Sequence, residues 1–111
     1  MSKLEIREGE ILDTEQVAVS IIAHAGDSTS FSMEAINAAR DGNSEKAKEL
    51  LEKSKESLQK AHEVHTQVLV EEARGGIESL SMILIHASNH FSMADMTHEF
   101  AKIFIDLYER S

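Results

Sequence analysis

The reactive chemistry of this sequence is concentrated in histidine: six of its 111 residues are His and none is Cys. His86 and His90 lie four residues apart, and His62 and His65 lie three apart. On a helix, those spacings put each pair on one side. Two chemistries could use such a grouping. Imidazoles at i and i+4, joined by others from a neighbouring helix, can bind zinc or another transition ion; the set here would be His62, His65, His86 and His90. Alternatively, a single neutral imidazole can accept a phosphoryl group, because its pKa leaves a ring nitrogen free near neutral pH. It then needs donors for the transferring oxygens. The plainer reading is that each His sits at a helix seam with an ordinary hydrogen-bond partner. Two imidazoles beside Ile83, Leu84, Ile85 and Phe91 are harder to place that way, since each must find a partner once buried. The polar residue closest on that side is Asn89, a poor transition-metal ligand. Spacing alone does not decide among the three readings.

The elements that must position these side chains are long helices. Apolar residues recur at helical period from Thr14, through Val17, Ile21, Ile22 and Ala25 to Met33, Ile36 and Ala39. Gly26, Asp27 and Ser28 interrupt that pattern, but no Pro enforces a break, so one helix over about 14–41 is expected. Gly42 suits the left-handed residue past a helix end, and Asn43 or Ser44 can cap the next start. A second helix over about 45–73 carries an inner stripe of Leu51, Leu58 and His65 flanked by Leu50, Ala61, Val64 and Val68, and ends at Gly75 and Gly76. A third over about 78–108 has Leu80, Ile83, Leu84, Ala87, Phe91, Ala94, Ala101, Phe104 and Ile105 at its apolar positions. The expected fold is all-α, an antiparallel up-down-up three-helix bundle in a single domain spanning 1–111, with residues 1–13 as a charged arm. The third helix is apolar around more of its circumference than two neighbours can cover, so self-association is expected.

Composition narrows the function. A formal charge of −9 disfavours binding to a nucleic-acid backbone. Without Cys there can be no disulfide, thiolate metal site or Cys nucleophile. No apolar run approaches the roughly 20 residues of a membrane span, and the N-terminal stretch has no signal-peptide core. A cytoplasmic protein that does not insert in membranes is expected.

Three segments carry a family resemblance. Ile21-Ile22-Ala23-His24-Ala25-Gly26-Asp27-Ser28 resembles the first-helix motif of the lactose/cellobiose-type IIA components of the bacterial phosphotransferase system. Ala61-His62-Glu63-Val64-His65-Thr66-Gln67-Val68-Leu69 is similar to the second-helix motif, with His65 where the family has Gln. Ile85-His86-Ala87-Ser88-Asn89-His90-Phe91-Ser92-Met93 is similar to the third-helix active-site motif. Their order and spacing agree with the family from about Glu15 to Tyr108. The resemblance implies a homotrimer forming a nine-helix bundle. It implies that His86 accepts a phosphoryl group from the phosphocarrier HPr, with His90 in support. The group then passes to a cysteine of the IIB component, and the IIC membrane permease is served only indirectly, in uptake of a β-glucoside or disaccharide. It also implies a divalent metal such as Mg2+ on the trimer axis, held by an Asp at the fourth position of the motif counted from His86. Here that position is Asn89. Three carboxylates on an axis need a cation and three amides do not, so no metal is expected to be required. Ser88 stands at the motif's Gln position. The alternative is a non-catalytic helical-bundle adaptor with an ion on the four histidines.

Overall fold

The computed structural model describes residues 13–77 and 81–111, and its regular structure there is three helices. These are α1 (Thr14–Arg40), α2 (Ser44–Ala73) and α3 (Met82–Arg110). Each begins at a side-chain cap that satisfies an otherwise orphaned backbone N–H. Gln16 N donates to Asp13 at 3.1 Å, Lys46 N to Asn43 at 3.2 Å, and Leu84 N to Ser81 at 3.2 Å. The first two helices match expectation within a residue. The third starts later than expected, because Ser81 is its cap; the expected first residues, 78–80, lie outside the described residues, as does the expected arm apart from Asp13.

Both turns are closed by glycine for a stated reason. Gly42 and Gly75 have φ of 82° and 80°, a region a side chain resists. That conformation lets Gly42 N reach Ala39 O and Asn43 N reach Ala38 O, the paired bonds that cap the end of α1. Gly75 N to Glu72 O and Gly76 N to Glu71 O repeat the arrangement after α2.

Contacts along the bundle fix its direction. Ser44 meets Glu109, Ser54 meets His98, and His65 meets Ser88, so each step along α2 is matched by a step back along α3. The α1 helix packs closely on both others, which touch each other much less. Alanine makes this close approach possible: Ala18, Ala25, Ala35, Ala47, Ala61, Ala87, Ala94 and Ala101 are all buried. One end of the core holds Val17, Ile21, Val64, Val68 and Leu84; the other holds Ala35, Ala39, Leu50 and Ile105.

Between those ends lies a polar layer that composition does not announce. Ser28 and Ser32 of α1, Ser54 of α2 and His98 of α3 are all buried. Ser28 Oγ donates to Ser54 O at 2.9 Å, and Ser54 Oγ lies 3.1 Å from Ser28 O, 2.5 Å from Ser32 Oγ and 3.0 Å from His98 Nδ1. Burial, with Lys102 adding to it, holds the His98 pKa below its ordinary value, so this imidazole is neutral.

The outward face of α3 is the apolar surface expected. Ile85, Met93, Met96, Phe100, Ile103 and Leu107 are 44% to 61% exposed. They recur at steps of three or four once Asn89 fills the gap between Ile85 and Met93. Met33 of α1, expected to face inward, is exposed as well. The inner face there runs through Ser28 and Ser32, where the three helices close too tightly for a long side chain.

Candidate functional site

His86 and His90 stand one turn apart on α3, and the helix brings their rings together. The two Nε2 atoms are 3.0 Å apart, with ring centroids at 4.5 Å and planes at 86°. Only one of the two nitrogens carries hydrogen in such a contact, so the pair shares a single proton and one lone pair. His86 is exposed and His90 half-buried. Asn89 lies on the neighbouring exposed flank, within the apolar seam.

The second histidine pair goes elsewhere. Ser88 and Phe91 point towards α2, and there His65 Nε2 meets Ser88 Oγ at 3.1 Å. The His65 ring stacks on Phe91 with centroids 4.8 Å apart, and His62 leans on the same ring at 5.7 Å. Burial, and then the like charge of His62, holds the His65 pKa below its ordinary value. His65 thus comes opposite the His86 region of α3, but its partner is Ser88. The four-histidine metal site does not form: among the described residues no group of three or more His, Cys, Asp or Glu is placed to hold an ion. The sequence's His24 is half-buried on α1, and the motif's Ala25 and Ser28 are core residues.

What the arrangement can do follows from its openness. A groove of about 480 Å³ between α2 and α3 is lined by Lys55, Leu58, Gln59, His62, Phe91 and Asp95, and includes neither His86 nor His90. The paired imidazoles sit on an open surface, reachable by a group carried on another protein. A nucleophilic nitrogen beside a nitrogen-bound proton is suited to group transfer.

His98 is the buried histidine that the spacing argument passed over. Its signal was present: it falls on the stripe Leu84, Ala87, Phe91, Ala94, Ala101 and Ile105, which points inward.

Comparison with known proteins now has a geometry to meet. Residues 16–109 match the family described as PTS system, Lactose/Cellobiose specific IIA subunit. The chain is 36% identical over 98 residues to the lichenan-specific phosphotransferase enzyme IIA component of Bacillus subtilis (strain 168), covering 88% of this chain and 89% of that one. The PTS cellobiose-specific enzyme IIA from Bacillus anthracis superposes with a TM-score of 0.85 at 36% identity, covering 94% of this chain and 95% of that one. The IIA(chitobiose)–HPr complex of the N,N'-diacetylchitobiose branch of the Escherichia coli phosphotransferase system supplies a second match. Its TM-score is 0.77 at 27% identity, covering 89% of this chain and 96% of that one.

Proposed function

Because the chain belongs to the lactose/cellobiose-specific IIA family of the phosphotransferase system, we propose that His86 is its phosphoryl acceptor, loaded by HPr and discharged to a cysteine of the IIB component in cytoplasmic service of β-glucoside or disaccharide uptake. The observation that carries this is the exposed His86 ring with its Nε2 3.0 Å from Nε2 of His90. The similar IIA(chitobiose) chain in complex with HPr supports the choice of donor.

The chemistry balances on these two rings. In the receptive tautomer, His90 Nε2–H donates to the Nε2 lone pair of His86, whose own proton is on Nδ1. As the donor's phosphohistidine approaches, His90 turns aside and the His86 Nε2 lone pair attacks phosphorus. The N–P bond on the donor breaks and its electron pair returns to the donor's imidazole. The His90 Nε2–H then serves a phosphoryl oxygen rather than a nitrogen, a donor aimed where charge is greatest. In the second transfer the IIB thiolate attacks phosphorus and His86 leaves with its lone pair restored.

The working assembly is a homotrimer, a nine-helix bundle built on the exposed seam of α3. Its three-and-four spacing is that of helices packing against copies of themselves. Asn89 sits in that seam. A hard divalent cation accepts Asn carbonyl oxygens, but neutral amides among apolar side chains offset little of its dehydration. The axis therefore holds through amide hydrogen bonds and apolar packing, and no phosphoryl step passes through a metal.

Incubation with phosphorylated HPr tests the reading. The intact chain should gain the mass of one phosphoryl group and lose it again on addition of the IIB component. A chain that stays at its original mass with an active donor refutes it.

A further inference from the structure

The contact between His86 and His90 has a geometry that a proton alone does not require. Two imidazoles meeting end to end through an N–H···N bond of this length would hold their ring centroids about 5.3 Å apart. The observed separation is 4.5 Å with the planes at 86°, so the rings are bent away from an end-to-end line. An ion about 2.1 Å from each of two nitrogens at right angles places those nitrogens about 3.0 Å apart. That is the spacing found. A tetrahedral ion at the same bond length would spread them to about 3.4 Å. Right-angled nitrogen pairs belong to the square or octahedral shells of Cu2+ and Ni2+.

We propose that His86 and His90 form a two-nitrogen chelate for a divalent transition ion, Ni2+ or Cu2+, and that the bound ion blocks phosphoryl acceptance. The helix does the organising: at i and i+4 the two Nε2 atoms are already 3.0 Å apart, so little ring freedom is lost on binding. Imidazole is a good ligand for these ions and a poor one for Mg2+ or Ca2+. The site is distinct in chemistry from any hard-ion position in the α3 seam. Among the described residues no third His, Cys, Asp or Glu joins the pair, so water completes the shell and the ion exchanges readily. Binding moves the hydrogen of His90 from Nε2 to Nδ1, because a neutral imidazole coordinates through one nitrogen and keeps its hydrogen on the other. It also occupies the lone pair that would attack phosphorus. The blocking half of the proposal rests on His86 being the acceptor; the chelate itself does not.

Titration of the full, untagged chain with Ni2+ at pH 7.5, followed by calorimetry, separates the two halves. One ion per chain is expected, weakened at least tenfold by His86→Ala and by His90→Ala, and unchanged by His62→Ala. Equal binding by wild type and His90→Ala overturns the chelate. The rate of phosphoryl uptake from phosphorylated HPr should fall in proportion to Ni2+ occupancy and recover with EDTA. Full uptake at saturating Ni2+ overturns the block. Should the ion-free chain take up no phosphoryl group at all, the acceptor assignment fails while the titration still decides the chelate.

Discussion

Replacing Ser54 by Ala removes the hub of the buried polar layer, and the contacts say what that costs. Ser54 Oγ has one hydrogen and two lone pairs. A consistent assignment has it donate to Ser28 O at 3.1 Å and accept from Ser32 Oγ and from His98 Nδ1–H. Once the hydroxyl is gone, Ser28 Oγ keeps its bond to Ser54 O at 2.9 Å. Ser32 can turn to the carbonyl four residues back, as helical serines do. His98 Nδ1 has no such recourse and is left buried without a partner. One stranded group costs about 2 kcal/mol, which lowers Tm by roughly 8–16 °C in a chain of this size. Ser28→Ala strands nothing comparable and should cost less than about 1 kcal/mol. Circular dichroism melts at one fixed protein concentration measure both, since assembly makes Tm concentration-dependent. The double variant Ser54→Ala/His98→Leu should recover most of the loss, because both polar partners are gone together. A Ser54→Ala protein that melts with wild type, or below its own double variant's deficit in size, refutes the hub assignment.

Further outcomes follow from the same structure. His98 is held neutral by burial, so its folded pKa lies below the ordinary 6.5. At low pH the unfolded chain binds the proton more readily; stability is therefore complete above about pH 6.5 and is lost as pH falls below it. Urea midpoints from pH 8 to 5 should show that decline, and His98→Leu should lessen it, the remainder belonging to His65, whose pKa is lowered in the same sense. Light scattering should give about three times the 12.3 kDa chain mass, and a monomer at micromolar concentration would contradict the α3 seam. Chelator should leave that trimer and its Tm unchanged, whereas Asn89→Asp should make both chelator-sensitive through repulsion among three carboxylates. His90→Ala should still be labelled by phosphorylated HPr but about 10²-fold more slowly, since one aimed donor is lost; undiminished labelling rates would remove His90 from the reaction.

The helices were legible because their period, caps and glycine stops all agreed. Gly42 and Gly75 sit where the chain needs positive φ, and Asn43 caps α2 as its residue type suggests. Ser81 caps α3, so that helix starts later than its apolar pattern indicated. Reading hydrophobicity as burial failed at one level of the bundle in two ways. Met33 was placed inside and is exposed, while Ser28, Ser32, Ser54 and His98 fill the interior. Small hydroxyls fit where three helices approach closely, and they satisfy one another there, which no single-residue scale records. The His86–His90 pair needed only the helical repeat to be seen. The His65–Ser88 bond depends on the register of α2 against α3, which spacing along one helix does not give.

The central claim is that one nitrogen on His86 carries the phosphoryl group. Wild type, His86→Ala and His90→Ala, each shown to be folded and of the same oligomeric state, can be incubated with excess phosphorylated HPr and weighed intact by mass spectrometry. Wild type and His90→Ala should each gain the mass of one phosphoryl group per chain, and His86→Ala should gain none. A folded His86→Ala protein that takes up the group as fully as wild type would contradict the account.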